Sequence, residues 1–262
     1  MSQAESKTTR SALSYDLLAQ EFAQRGLDAV ALFVHDSVGS TNDEILAHLP
    51  SLPAHSAIVV TADEQVSGRG RLDRVWSSPW AAGIALTIAV DAAHIKGEIT
   101  SVPLRAGLAV HKALATFGVQ VGVKWPNDIV TLDGLKLGGL LSVARENAIL
   151  IGIGLNTSLT SEELPTPVAT SLELLGHHVA RENLIAEIVA QVHSAIADAN
   201  WVESYNQASA TLGKHVRLHR KDQPTIEGTV VEFAVDGSIR IATELGDEAF
   251  SIGDIEHLRV SE

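Results

Sequence analysis

Ser67-Gly68-Arg69-Gly70-Arg71-Leu72-Asp73-Arg74-Val75-Trp76 follows closely on the apolar run Ala57-Ile58-Val59-Val60-Thr61-Ala62, which predicts a strand. Gly68 and Gly70 let the backbone bend and approach a ligand closely. Arg69, Arg71 and Arg74 place three fixed positive charges within six residues. A guanidinium donates two parallel hydrogen bonds and so suits carboxylate and phosphate. Read alone, the segment is as compatible with a solvated basic turn as with a loop that closes over an anion.

The background makes the arginines stand out. The chain has 262 residues and a formal charge of -13, which argues against a general nucleic-acid coat. A hydrophobic fraction of 45% predicts a globular chain, with length for one large core and a smaller second unit. There are no cysteines, so thiol catalysis and cysteine metal sites are excluded, and a cytoplasmic setting is expected. Residues 1–10 are polar, with no signal-peptide core, and no run of about 18 apolar residues offers a bilayer span.

Residues 1–29 read as a polar tail and one helix, with Leu13, Leu17, Leu18 and Phe22 on its apolar face and Gly26 as its stop. Val30 to Val34 predicts a strand. In the following segment, Ser40 or Thr41 is a fitting N-cap, and Asp43 and Glu44 suit a first helical turn. Capping alone explains these residues, and so does a polar ligand held by hydroxyls and free N–H groups. Gly83 to Val90 predicts a buried strand, and Ser101 to Phe117 a helix with Pro103 at its start and Gly118 at its end.

Val123-Lys124-Trp125-Pro126-Asn127-Asp128-Ile129 puts a lysine, an amide and a carboxylate where one strand breaks and another resumes. A hairpin corner with a surface Lys–Asp pair would look the same. Asp133-Gly134 predicts a turn into Leu135-Lys136-Leu137-Gly138-Gly139-Leu140-Leu141, where Lys136 either snorkels to water or meets an anion. In the strand Ala148 to Asn156, Gly152 and Gly154 share one face, leaving a groove for something flat or for tight packing. Leu184, Ile185, Ile188, Val189, Val192 and Ile196 form a helical core stripe. From Leu212 onward short alternating runs carry Val216, Leu218, Val230, Phe233, Val235, Ile239, Ile241, Phe250, Ile252 and Ile255, with a hairpin signal at Asp236-Gly237. Residues 212–262 therefore predict a small all-β barrel of about five strands.

Taken in order, Ser40-Thr41-Asn42, Gly68-Arg69-Gly70-Arg71 with Trp76, Lys124-Trp125-Pro126-Asn127-Asp128, Lys136-Leu137-Gly138-Gly139 and Gly152-Ile153-Gly154-Leu155-Asn156 resemble the biotin–protein ligase family, also called biotin–[acetyl-CoA-carboxylase] ligases. Each motif is weak alone; the ordered set, followed by a small β unit, is specific. The resemblance runs from about residue 30 to the end. It implies an α/β (α+β) catalytic domain with a mixed sheet flanked by helices over 1–211, and an SH3-like domain over 212–262.

The family's reaction, and the roles below, are implied by that resemblance. Biotin attacks the α-phosphate of ATP to give biotinyl-5'-AMP and pyrophosphate, and a lysine of a biotin carboxyl carrier domain then displaces AMP. The carrier belongs to an acetyl-CoA, acyl-CoA or pyruvate carboxylase. Arg71, Lys124, Asp128 and Lys136 are the candidate catalytic residues. Ser40, Thr41, Asn42, Gln65, Gly68, Arg69, Lys136, Gly139, Leu141 and Gly152 would hold biotin. Arg69, Arg71, Arg74, Trp76, Lys124, Asn127 and Asn156 would hold the nucleotide, with Asn127 also toward Mg2+.

Three departures from the family pattern stand out: Asp73 where glycine is common, Val143 where a carboxylate often follows, and one extra residue between Asp128 and Lys136. Two other classes are set aside. A DNA-binding repressor needs a winged helix-turn-helix, for which residues 1–29 are too short. A lipoate or octanoyl transferase lacks the paired Gly-Arg-Gly-Arg and Lys-Trp-Pro-Asn-Asp segments. No specific DNA or membrane partner is expected, and the chain is a monomer or a homodimer.

Overall fold

The structure, a computed structural model, describes residues 10–258. The first nine residues of the predicted N-terminal tail and the last four of the predicted β unit lie outside that range. The elements run α1 (Tyr15–Gln24), β1 (Val30–Val38), α2 (Thr41–Glu44), a 3-10 stretch (Ile45–Ala54), β2 (Ala57–Gln65), β3 (Gly83–Asp91) and α3 (Val102–Thr116). They continue β4 (Gly122–Lys124), β5 (Asp128–Val130), β6 (Lys136–Arg145), β7 (Ala148–Asn156), α4 (Arg181–Ala197) and α5 (Trp201–Ala208). The chain ends with β8 (His215–His219), β9 (Ile226–Phe233), β10 (Ile239–Thr243), β11 (Gly246–Phe250) and β12 (Asp254–His257).

The first seven strands form one mixed sheet in the order β1-β2-β3-β7-β6-β5-β4. Only β1 and β2 run parallel within it. One face is apolar throughout. Val59, Leu86, Ile88, Ile151 and Ile153 point there and pack on α1, α3 and α4 through Leu18, Ala106, Val110, Ile185 and Val189. The opposite face is covered at one end only. There Ile58, Val60, Ala89 and Leu150 pack under Ile45 and Leu52 of the 3-10 stretch. Strand side chains alternate, so the parity that turns Ala148 and Leu150 toward that cover also turns Gly152, Gly154 and Asn156 to the same face. At this end the face is left open, and a cavity lies over it.

The predicted strands and long helices form, with three corrections. Leu17 was expected on the apolar face of α1, but it is 53% exposed while Leu18 and Phe22 are buried. Leu18 and Phe22, four residues apart, define the buried face of α1, and Leu17 lies about 100° around the helix from Leu18. Val235 and Ile252 were expected in the second core. Both are exposed because each sits in a loop, beyond the end of β9 and before β12.

The C-terminal strands make an antiparallel sheet in the order β11-β10-β9-β8-β12, with β11 and β12 at its edges. Among the described residues this sheet is open. Its core is shared with the larger unit: Val216, Leu218, Val230, Phe233 and Ile239 pack with Leu104 and Leu108 of α3, Trp125, and Trp201 and Tyr205 of α5. Trp125 is 1% exposed, and its indole N–H donates to Gly237 O at 3.0 Å. That bond ties the hairpin that carries Lys124 and Asp128 to the C-terminal sheet.

The N-terminal segment is fixed by a buried charge cluster. Both oxygens of Asp63 accept from Leu13 N, at 3.0 and 3.2 Å, and Arg181 lies 2.6 Å from Asp63 Oδ1. Arg181 also donates to Ser11 O at 2.6 Å and Gly83 O at 3.3 Å. The pair is almost wholly shielded, so each charge depends on the other for its compensation.

Candidate active site

The floor of the site is two rows of cross-strand neighbours on the open sheet face. One row is Thr87, Gly152 and Leu141. The next is Ala85, Gly154, Gly139 and Asp128. Small side chains in both rows leave a cavity of about 410 Å³. That is within the usual range of small-molecule pockets.

At one end the polar groups are interlinked. Gln65 Oε1 accepts from Thr41 N at 2.9 Å and from Thr41 Oγ1 at 3.1 Å. Thr87, fully buried, has its hydroxyl 2.8 Å from Thr41 Oγ1 and 2.6 Å from Asn42 Oδ1. A Cβ on Gly152 would meet Asn42 Oδ1 at 2.6 Å, so only glycine leaves room for that amide. The groove expected over Gly152 and Gly154 is thus lined by the chain's own flat groups. A Cβ on Gly154 would come within 2.4–2.6 Å of the Trp76 indole, which lies against that glycine.

The other end is cationic. Arg69 to Val75 form a short hairpin in which Gly70 N donates to Arg74 O at 2.7 Å and Trp76 N donates to Gly68 O at 2.9 Å. Arg71 is brought inward. Its guanidinium reaches Asn127 Oδ1, Gly253 O and Asp254 Oδ1, each at 3.3 Å. Arg74 pairs with the other oxygen of Asp254. This carboxylate offsets the mutual repulsion of the two arginines. Arg69 turns the other way and pairs with Asp43 of α2 at the surface.

Lys124 and Asp128 are directly opposite across the β4–β5 hairpin. Lys136 Nζ lies 2.6 Å from Asp128 Oδ1 and 5.9 Å from the centre of the Trp76 ring. Burial lowers the pKa of Lys124; Asp128, Asp254 and Glu256 oppose that shift, and the Lys136 charge adds to it. Burial likewise lowers that of Arg71, opposed by Asp254 and Asp128. Both groups are therefore cations held where solvent screens them poorly, and a ligand anion would compensate them.

The lysine's position is built by backbone bonds. Lys136 N donates to Val168 O at 2.7 Å, and Thr170 N donates to Lys136 O at 2.9 Å. Asn156 Nδ2 donates to Thr170 O at 2.8 Å and holds the same loop. Between Asp128 and Lys136 the β5–β6 pairing carries a register shift, at Ile129 and Val130. Val143 packs against the apolar cluster under the 3-10 stretch.

The wall of this one cavity includes Thr41, Asn42, Gln65, Arg69, Arg71, Arg74, Trp76, Lys124, Asn127, Asp128, Lys136, Gly139, Leu141, Gly152 and Asn156. Ser40 and Gly68 stand behind it. Ser40 is buried, and its carbonyl accepts from Asp43 N and Glu44 N. A Cβ on Gly68 would meet Trp76 O at 2.6 Å, so this glycine lets the arginine hairpin close.

Two participants escaped the sequence reading. Thr87 had a signal, a lone hydroxyl in an otherwise apolar buried strand. Asp254 had none, because more than 180 residues separate it from Arg71 and only the fold brings them together.

The sequence profile described as the Biotin/lipoate A/B protein ligase family matches residues 34–157. A Mycobacterium tuberculosis biotin–[acetyl-CoA-carboxylase] ligase is 31% identical over 248 residues, which span 90% of this chain and 90% of that protein. The chain belongs to the biotin–protein ligase family. Among solved structures, the Aquifex aeolicus biotin protein ligase in complex with biotin and ATP superposes with a TM-score of 0.74 at 22% identity, over 88% of this chain and 99% of that one. The Leishmania major biotin protein ligase in complex with biotinyl-5-AMP gives 0.62 at 25% identity, over 88% and 99%. In this biotin–protein ligase family member the cavity lies at the open end of the seven-stranded sheet, and Asp254 of the C-terminal sheet stands on its wall. Among the described residues no helix is long and apolar enough to cross a membrane.

Proposed function

We propose that this chain is an ATP-dependent ligase that activates biotin as biotinyl-5'-AMP and transfers the biotinyl group to a lysine of a biotin carboxyl carrier domain. The carrier is of the acetyl-CoA carboxylase type for which the M. tuberculosis relative is named. The observation that carries this reading is the convergence of Arg71, Lys124 and Lys136, from three separate segments, on one cavity whose far end is lined by Thr41, Asn42 and Gln65. That polarity matches a molecule with a ureido ring at one end and a carboxylate at the other.

In the first step the biotin carboxylate attacks the α-phosphorus, and the bond from phosphorus to the bridging oxygen of pyrophosphate breaks. Two anions must approach each other, so fixed cations are needed where charge accumulates. Lys136 sits at the junction of the biotin and nucleotide ends, with Arg71 and Lys124 flanking the phosphates. Arg69 and Arg74, on the exposed part of the hairpin, join from the rim, and Trp76 and Asn156 flank the nucleotide. Gly139, Leu141 and Gly152 lie along the biotin tail, with Ser40 and Gly68 supporting the loops behind it.

Lys136 is paired with Asp128 before substrate arrives. When the ammonium turns to the adenylate, Asp128 is released to orient the carrier lysine and accept its proton. That amine then attacks the acyl carbon, and AMP leaves with the anhydride oxygen.

The donor set also suits Mg2+, which prefers oxygen ligands and shares them with phosphate. Asn127 Oδ1 and the Asp128 carboxylate supply such oxygens on the cavity wall. When bound, the ion would neutralise phosphate charge and draw electrons from the leaving pyrophosphate. In this reading residues 1–211 form the catalytic unit, and 212–262 form an SH3-like unit that lends Asp254 to the site.

The test is incubation of the chain with MgATP, an apo carrier domain and either biotin or lipoate, read by intact mass. Addition of one biotinyl group, dependent on ATP, is expected. Lipoyl addition in preference to biotinyl, or no addition, would overturn the proposal.

A further inference from the structure

A second cluster lies on the same sheet face and plays no part in the chemistry above. β1 is an edge strand, and alternation puts Phe33 and His35 on the face beneath the 3-10 stretch Ile45–Ala54. Glu44 ends α2, and His48 lies in the 3-10 stretch that continues directly from it.

One ligand atom from each of His35, Glu44 and His48 lies within 4.8 Å of the others. His35 Nε2 is 4.0 Å from Glu44 Oε1, too far for a hydrogen bond. The Nε2 atoms of both histidines are shielded from solvent, yet neither has a hydrogen-bond partner. Shielded nitrogens without partners are uncommon and call for a compensating group. The His48 ring is held flat against Phe33, with centroids 3.6 Å apart and planes at 17°.

We propose that His35, Glu44 and His48 bind one divalent transition cation of the Zn2+ class, with a further position open to water. Two imidazoles and a carboxylate suit Zn2+, Co2+ and Ni2+, whereas Mg2+ prefers oxygen ligands alone. Tetrahedral bonds of about 2.0–2.1 Å place ligand atoms roughly 3.4 Å apart. The three donors therefore need to draw together by about an ångström. Glu44 can supply that movement, since its side chain is 38% exposed at the end of a four-residue helix. A bound ion would tie β1 to α2, whose first residues, Thr41 and Asn42, line the main cavity. The site is separate from the phosphate end, where oxygen donors and cations dominate.

The experiment is titration of the untagged full-length chain with Co2+, followed by its visible d–d absorption, and with Zn2+ by calorimetry. One ion per chain is expected, with tetrahedral-type Co2+ absorption. His48→Phe keeps the stack on Phe33 and His35→Gln keeps a polar group on the edge strand. Each is expected to weaken binding about tenfold or more. His219→Gln, at the end of β8 where His219 Nε2 lies 3.3 Å from Glu256 Oε2, is expected to leave it unchanged. Circular dichroism verifies that the variants fold, and His35→Gln decides if His48→Phe does not. No binding of either ion, or equal affinity in wild type and His35→Gln, would overturn the proposal.

Discussion

Replacing Lys136 by alanine separates the chemical role of this lysine from its structural one. Its ammonium lies 2.6 Å from Asp128, but the two side chains are 37% and 23% exposed. A pair so open to solvent contributes about 0–1 kcal/mol to stability. Asp128 would also retain Lys124 directly across the hairpin. The expected loss of Tm is therefore about 4 °C or less for a chain of this size. The catalytic loss is of another order. If Lys136 stabilises charge on the carboxylate and α-phosphate only as they react, its removal costs roughly 3 kcal/mol of barrier, about two orders of magnitude in rate. The assay is biotin-dependent pyrophosphate release at saturating ATP, beside a thermal melt. A rate within tenfold of wild type would refute the assignment. A large fall in Tm with the same loss of rate would show that the lysine acts through the fold.

Three further outcomes follow from the geometry. Asp254→Ala removes the partner of both Arg71 and Arg74, so amide exchange at Gly70 and Trp76 should rise about fivefold, the Boltzmann factor for ~1 kcal/mol of ion-pair stabilisation; unchanged exchange would mean that the hairpin holds itself. Asp63→Asn leaves the Arg181 charge shielded without a counter-charge, which should cost about 3–5 kcal/mol and lower Tm by roughly 6–20 °C; a fall of a degree or two by calorimetry would contradict this. His257 is held at a pKa of about 4, below its ordinary 6.5, by burial and then by the nearby Lys124 and Lys214 charges. As pH falls from 6.5 toward 4 the unfolded chain binds this proton before the folded one, so its contribution to stability is retained above 6.5 and lost through that window. Urea midpoints for wild type should thus fall more steeply between pH 7 and pH 5 than those of His257→Gln, and parallel slopes would refute the assignment.

Much of this was legible in the residues, for identifiable reasons. Strands such as Ala148–Asn156 are nearly continuous apolar runs because helices cover one face of the sheet and the 3-10 stretch covers part of the other, and the helix-stop glycines Gly26 and Gly118 adopt the positive φ that such positions require. The site motifs were readable because each is a local grouping of charge and small residues. Side-chain phase at element ends was less legible: Leu17, Val235 and Ile252 are apolar but exposed, the first because it lies off the Leu18–Phe22 face of α1 and the other two because they sit in loops. Long-range pairing was not legible. Nothing near Asp254 announces two arginines, and nothing near Gly154 announces that an indole from the arginine hairpin will lie on it.

The central claim is that Arg71, Lys124 and Lys136 surround one adenylate in one cavity. A crystal structure of the chain after incubation with biotin and MgATP tests it most directly. The account predicts biotinyl-5'-AMP on the Gly139–Gly154 floor, with its phosphate within hydrogen-bond reach of these three cations and its ring beside Thr41, Asn42 and Gln65. An adenylate bound elsewhere, or a phosphate that touches none of the three, would contradict it.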